Sequence, residues 1–225
     1  MPAIYSADRR HAEAPIPWPP LAMLLLAILA SASPAQDLHQ EVQSMEELAT
    51  ELSESIDQVK LDMQRFVEAS QATRSGEANP AASTDSLVQG MEGLKTVVYR
   101  VLEQTDINNA LMDSIEATIA EVKHRKTRAQ GFRGEASATL VKRWEDSLLT
   151  LSRQKDGILD LRVQAQNNLT ELLAKEALIL ELADLQDLET ITEQLDTLTS
   201  GLQALSQNMR SVSETVVPVE TGLPQ

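Results

Sequence analysis

Apolar residues recur along this chain in alternating steps of four and three. Leu38, Val42, Met45, Ala49, Leu52, Ile56, Val59, Met63 and Phe66 form one series, and Leu188, Ile191, Leu195, Leu198, Leu202, Leu205, Met209, Val212 and Val216 form another. Such a repeat keeps one narrow stripe on a helix, so both segments are predicted as helices packed lengthwise on partner helices. A third series runs through Leu87, Met91, Leu94, Val98, Val101, Thr105, Asn108, Met112, Ile115, Ile119 and Val122. Thr105 and Asn108 are its polar members. Either they fix helix register and oligomer number, as a buried seam Asn can, or the stretch faces solvent at a gap in the bundle. A fourth series, from Val141 and Trp144 to Ala183, is looser and contains Lys155, Arg162 and Glu176, read as bundle-edge residues that snorkel to water. Leu149, Leu159, Leu161, Val163, Leu173, Leu178 and Leu182 widen its apolar face, which places that helix centrally among its neighbours.

These stripes predict an all-α fold, an elongated antiparallel helical bundle or coiled coil of three to four long helices. The prolines leave residues 35–79 and 81–217 free of helix breakers. Helix 1 is predicted over residues 36–75, with Asp37 as cap and Gln40 as its reciprocal partner. Residues 76–85, rich in turn formers, are a linker, and residues 86–215 form a helical hairpin and bundle segment. Within it one helix runs to Gln130, Gly131-Phe132-Arg133-Gly134 reverse the chain with Gly131 in the left-handed conformation, and the next helix begins near Glu135. Near residues 183–188 the seam changes phase, which fits either a local overwinding or a helix boundary capped by Asp184 or Asp187. Residues 216–225, with Pro218, Gly222 and Pro224, are expected to be a disordered tail.

The leader alters where this bundle is expected to work. Arg9 and Arg10, the apolar run Leu21 to Ala30 and the small residues around Ala32 and Ala35 make residues 1–35 a predicted signal peptide. The apolar run is short of the ~20 residues that span a bilayer, so an uncleaved anchor is the lesser alternative. Secretion across an inner membrane into a periplasm or similar compartment is therefore expected.

The chain has no cysteine, only 3% aromatic residues and a net charge of −15. Disulfides, thiol chemistry and most structural zinc sites are thereby excluded. So acidic a chain is not expected to bind nucleic acid. Its three histidines, His11, His39 and His124, have no metal-pair spacing, and no Gly-rich phosphate loop or activated serine is apparent, so neither a cofactor nor an enzymatic activity is expected.

The best candidate for function is a basic cluster. Lys123, Arg125, Lys126, Arg128, Arg133, Lys142 and Arg143 lie within 21 positions around the predicted reversal, together with the aromatic residues Phe132 and Trp144. Two helices meet there, so the charges converge on one tip. It could dock on anionic lipid head groups, lipopolysaccharide or an acidic protein. The plainer reading is that cations near a helix C-terminus complement its dipole and Trp144 is core, though this leaves Arg133, Lys142 and Arg143 unexplained. The resulting expectation is an exported, non-enzymatic coiled-coil scaffold that meets a protein partner or a second copy through its seams. A module that binds an anionic surface or client protein through residues 123–144, or a minor subunit of a secretion apparatus, is the alternative.

Overall fold

The structure, a computed structural model, describes residues 34–74, 81–185 and 187–215. The predicted signal peptide up to residue 33, the glycine-containing part of the linker and the tail from residue 216 lie outside the described residues. The chain divides into two units between Ala32 and Ser33, and every described helix belongs to the second.

This unit is an all-α helical bundle. Its helices are α1 (Pro34–Arg74), α2 (Ala81–Gln104), α3 (Ala110–Gln130), α4 (Glu135–Leu185) and α5 (Leu188–Glu214). α1 packs against α2, α3 and α5; α4 packs against the same three helices. The two strict stripes meet this demand. Along α1, Met45, Ala49, Leu52, Ile56 and Val59 are at most 2% exposed, and along α5 Ile191, Leu198, Leu202, Leu205 and Met209 are fully buried. Both stripes are covered by other helices of the same chain, and Ser206 Oγ of α5 donates to the Ala49 carbonyl of α1 at 2.8 Å. α1, like α4, touches three neighbours, so the central place expected for the fourth series is shared with the first helix.

Polar pairs join the neighbouring helices. Between α4 and α2, α3 or the connection joining those two, ion pairs among the described residues include Lys95–Glu176 (2.9 Å), Asp106–Arg162 (2.7 Å), Glu116–Lys155 (2.5 Å) and Lys126–Glu145 (2.8 Å). Between α1 and α2, Glu41 accepts from Gln104 at 2.8 Å and Glu51 pairs with Arg100 at 2.5 Å. Between α4 and α5, Asn168 Nδ2 donates to the Gly201 carbonyl at 3.4 Å and Lys175 Nζ to the Gln194 carbonyl at 3.2 Å. The first group corrects the sequence reading of Lys155, Arg162 and Glu176. They do not merely snorkel: Lys155 and Glu176 each neutralise a charge on a facing helix, and Arg162 neutralises Asp106 in the connection between α2 and α3.

Several predicted boundaries move. α1 starts at Pro34, not Asp37, so Asp37 lies in its first turn; proline is well suited to that position because the missing N–H has no intrahelical acceptor. α2 starts at Ala81, so residues 81–85 are helix rather than linker: two alanines directly after Pro80 favour helical geometry. The single helix expected over residues 86–130 is two, parted at residues 105–109. At residues 185–188 the chain takes the boundary, with Asp187 as cap accepting from the Thr190 N–H at 3.3 Å. The reversal after Gln130 forms, but the left-handed residue is Gly134 (φ 121°), while Gly131 is right-handed (φ −72°). The wide apolar face of α4 is only partly used. Leu161 is buried, but Leu149, Val163, Leu173 and Leu178 are 51%, 58%, 44% and 39% exposed.

Close packing of α1 on α2 depends on Gly90. A Cβ there would lie 3.0 Å from Val59 Cγ2 and 3.3 Å from Asp62 Oδ2. Inside α4, Gln154 is 4% exposed and its Nε2 has no hydrogen-bond partner. An unsatisfied buried amide costs about 1–3 kcal/mol, so Gln154→Leu is expected to raise the unfolding free energy by roughly 1 kcal/mol in urea titration. A clear loss of stability would show that the amide is paired in solution.

Candidate partner-binding tip

The α3–α4 hairpin extends past the start of α1. Thr118 Oγ1 donates to the Pro34 carbonyl at 3.2 Å, so the residues of α3 beyond Thr118 lie past the first described turn of α1. α5 ends level with the middle of α4, where a Cβ on Gly157 would lie 3.1 Å from Val212. The end of the hairpin is held by local bonds. Phe132 N–H donates to the Ala129 carbonyl at 3.1 Å, Ser137 Oγ donates to the same carbonyl at 2.6 Å, and Gly134 supplies the positive φ that lets α4 start. Both hydrogen bonds go to the Ala129 carbonyl, one of those that the last turn of α3 leaves without a helical partner.

The structure brings the predicted cluster together, yet sorts it into two groups. Arg125 pairs with Glu121 and its guanidinium sits 5.7 Å from the ring centre of Trp144. Lys126 pairs with Glu145 on the facing helix, and Arg143 is also engaged. Trp144 itself is 7% exposed, so it is core, as the plainer reading expected. Lys123, Arg128, Arg133 and Lys142 are exposed and make no ion pair with a described residue. Arg128 lies in the last turn of α3, where a cation complements the helix dipole. Phe132 stands at the turn, 71% exposed.

Thr105 and Asn108 have different fates. Thr105 is 1% exposed and its hydroxyl donates to the Val101 carbonyl at 2.7 Å, closing the last turn of α2. Asn108 is exposed, with its backbone N–H and side-chain amide both donating to Asp106 Oδ1, at 2.9 and 3.2 Å. The continuous seam read through Asn108 is therefore absent, because that residue belongs to the connection between two helices. Asn109 caps α3, accepting from the Ala110 N–H at 2.5 Å, and Arg162 clasps the break by donating to the Leu102 carbonyl at 3.5 Å while pairing with Asp106. Sequence reasoning missed Asp106 and Asn109, and it read Arg162 as a bundle-edge residue only. The run Asp106-Ile107-Asn108-Asn109 was the available cue, since such side chains favour caps and turns over helix interiors.

The charges around this break respond to pH. The Asp106 carboxyl is held below its ordinary range, first by the Asn108 backbone N–H and then by Arg162; Glu116 is lowered by Lys155. Lowered carboxylates contribute stability that is present above their unfolded values near ~4 and is lost as pH falls through the folded values. Lys95 is raised, chiefly by its bond to Glu92 and next by Glu176. Its contribution is complete below its ordinary value and disappears as pH climbs through the raised one. The urea midpoint is thus expected to fall below about pH 4 and again above about pH 10.5, and Asp106→Asn to flatten part of the acid limb. An unchanged acid limb in that variant would remove Asp106 from the account.

A second concave region lies between α1 and α2, a groove of about 390 Å³ lined by Ser55, Gln58, Asp62, Arg65, Gln89 and Gly90 among others. Its one buried charge, Asp62, already accepts from Gln58 at 2.9 Å and pairs with Arg65 at 3.2 Å. Among the described residues no group of three His, Asp or Glu side chains is placed to hold a metal ion, and no helix is long and apolar enough to cross a membrane. No protein-family model matches the chain, and no curated protein or solved structure matches it, so the reading of its function rests on the hairpin tip and the packing behind it.

Proposed function

We propose that this protein is an exported, non-enzymatic helical scaffold, an antiparallel rod in which α2 and α3 share one layer and whose partner-facing end is the α3–α4 tip. One observation carries the reading: both strict stripes are buried within the chain, whereas the tip keeps four cations that pair with no described residue and an exposed aromatic. A bundle that has used its apolar stripes internally is rigid by itself and offers partners its ends and outer faces. The tip is the end with a distinct chemistry. The basic leader, apolar run and small-residue site at residues 1–35 support an extracytoplasmic location.

Two measurements on the full chain test this reading. Fused at its C-terminus to a reporter active only outside the cytoplasm, the chain should give reporter activity, and light scattering after gel filtration should give one mass with helicity unchanged on dilution. A reporter that stays silent would overturn export. Helicity that falls on dilution would instead assign the seams to self-association.

A further inference from the structure

We infer that the α3–α4 tip docks on an anionic phospholipid bilayer. The inference rests on the reading of the tip as the partner-facing end. Residues 123–144 contain seven Lys and Arg but one acidic residue, Glu135, in a chain of net charge −15. Of the acidic side chains next to this segment, Glu121 and Glu145 are paired with Arg125 and Lys126, which leaves Asp146 and Glu135 against the four exposed cations. The exposed charge of the tip is therefore positive.

Reach separates this charge from the acidic remainder. Thr118 meets the first residue of α1, and the thirteen residues from there to Gly131 span about 20 Å at 1.5 Å per residue. Screening at physiological ionic strength falls off over about 8 Å. A surface touched by the tip thus feels Arg128 and Arg133 most strongly and Lys123 and Lys142, set about 12 Å back along their helices, in part, while the acidic residues of α1 and α5 are screened from it. Without the overhang, a chain this acidic would be repelled.

The distribution of the tip groups favours a bilayer over a protein or a single anion. Lys123 and Arg128 sit on α3, Arg133 in the turn and Lys142 on α4, so these cations are dispersed around the end of the hairpin. Dispersed charge suits a laterally mobile sheet of head groups that can gather beneath it. Phe132, 71% exposed beside Arg133, supplies the apolar group that enters the head-group boundary.

The test is co-sedimentation of the full chain with phosphatidylcholine vesicles, with and without phosphatidylglycerol. Binding should require the anionic lipid and weaken with salt. Each cation near such a surface contributes roughly fivefold in partitioning, so Arg128→Gln with Arg133→Gln should lose about twenty-five-fold. A control of equal net charge, Arg153→Gln with Arg210→Gln on exposed positions away from the tip, should lose less than about twofold. Phe132→Ser should weaken binding without changing helicity. All variants keep the leader and its apolar run, so a difference among them reports the tip. Equal loss in the two double variants, equal binding to neutral vesicles, or capture of polyglutamate without vesicle binding would overturn the inference. The last result would keep the tip as the partner-facing end and replace the bilayer with an acidic protein. None of these outcomes depends on the export and light-scattering results, so the two readings can fail separately.

Discussion

Replacing Leu52 by alanine is expected to lower the unfolding free energy by about 3 kcal/mol, whereas the same change at Leu61, on the outer side of the same helix, should alter it by less than about 0.5 kcal/mol. Leu52 is fully buried on the α1 stripe, and Leu61 is 42% exposed. Truncating a buried leucine loses transfer free energy and leaves a cavity that surrounding helices fill only in part. α1 packs against α2, α3 and α5, so collapse around such a cavity requires several helices to move together. Urea unfolding of the two variants decides the matter. Equal effects would mean that the stripe does not face the core, and a changed slope in the Leu52 variant would mean that the bundle no longer unfolds as one unit.

The same contrast explains which parts of the fold were legible in the sequence. Leu52 belongs to a stripe of regular spacing, and a helix with one such stripe has one way to bury it. Leu149 and Val163 are apolar too, but off the stripe of α4; apolar residues remain common on protein surfaces, and pattern alone does not say which are covered. The break between α2 and α3 was hidden for a related reason. Thr105 fills a stripe position and is buried there, so the periodicity runs smoothly into the break. What ends the helix is hydrogen bonding: Asp106 and Asn109 bind nearby backbone, and Arg162 arrives from a helix far along the chain. Local cap chemistry could be read from the sequence with more weight on Asp106 and Asn109. The contribution of Arg162 could not.

The tip shows an equivalent division. Its cations cluster in sequence, so the charge was visible. Pairing of Arg125 with Glu121 follows from their spacing of one helical turn, whereas Lys126 with Glu145 depends on how the two helices are set against each other. Only the structure separates Lys123, Arg128, Arg133 and Lys142 from the cations that hold the hairpin together. This matters for any experiment, because reversing Arg125 or Lys126 would disturb the fold and the surface at once.

Trp144→Ala should have an effect as large as that of Leu52→Ala but confined to one end of the molecule. Trp144 is 7% exposed and belongs to the buried core, as do Val122 and Ala129 of α3, at a level where the described helices are α3 and α4. Large aromatic truncations in a core cost about 3–5 kcal/mol, and a two-helix end has few other contacts with which to absorb the loss. The guanidinium of Arg125 also loses the ring face 5.7 Å away. Local opening should therefore become at least a hundredfold more frequent around residues 119–150, read as faster amide exchange there, while the buried amides of α1 and α5 keep their protection. Trp144→Phe should recover much of the loss by restoring apolar volume. If exchange instead accelerates evenly through all five helices, the hairpin end is not a separate cooperative unit. If it accelerates at the end alone, the tip cations are presented by an element whose order depends on one buried indole, and vesicle binding should weaken in Trp144→Ala even though every exposed cation is intact.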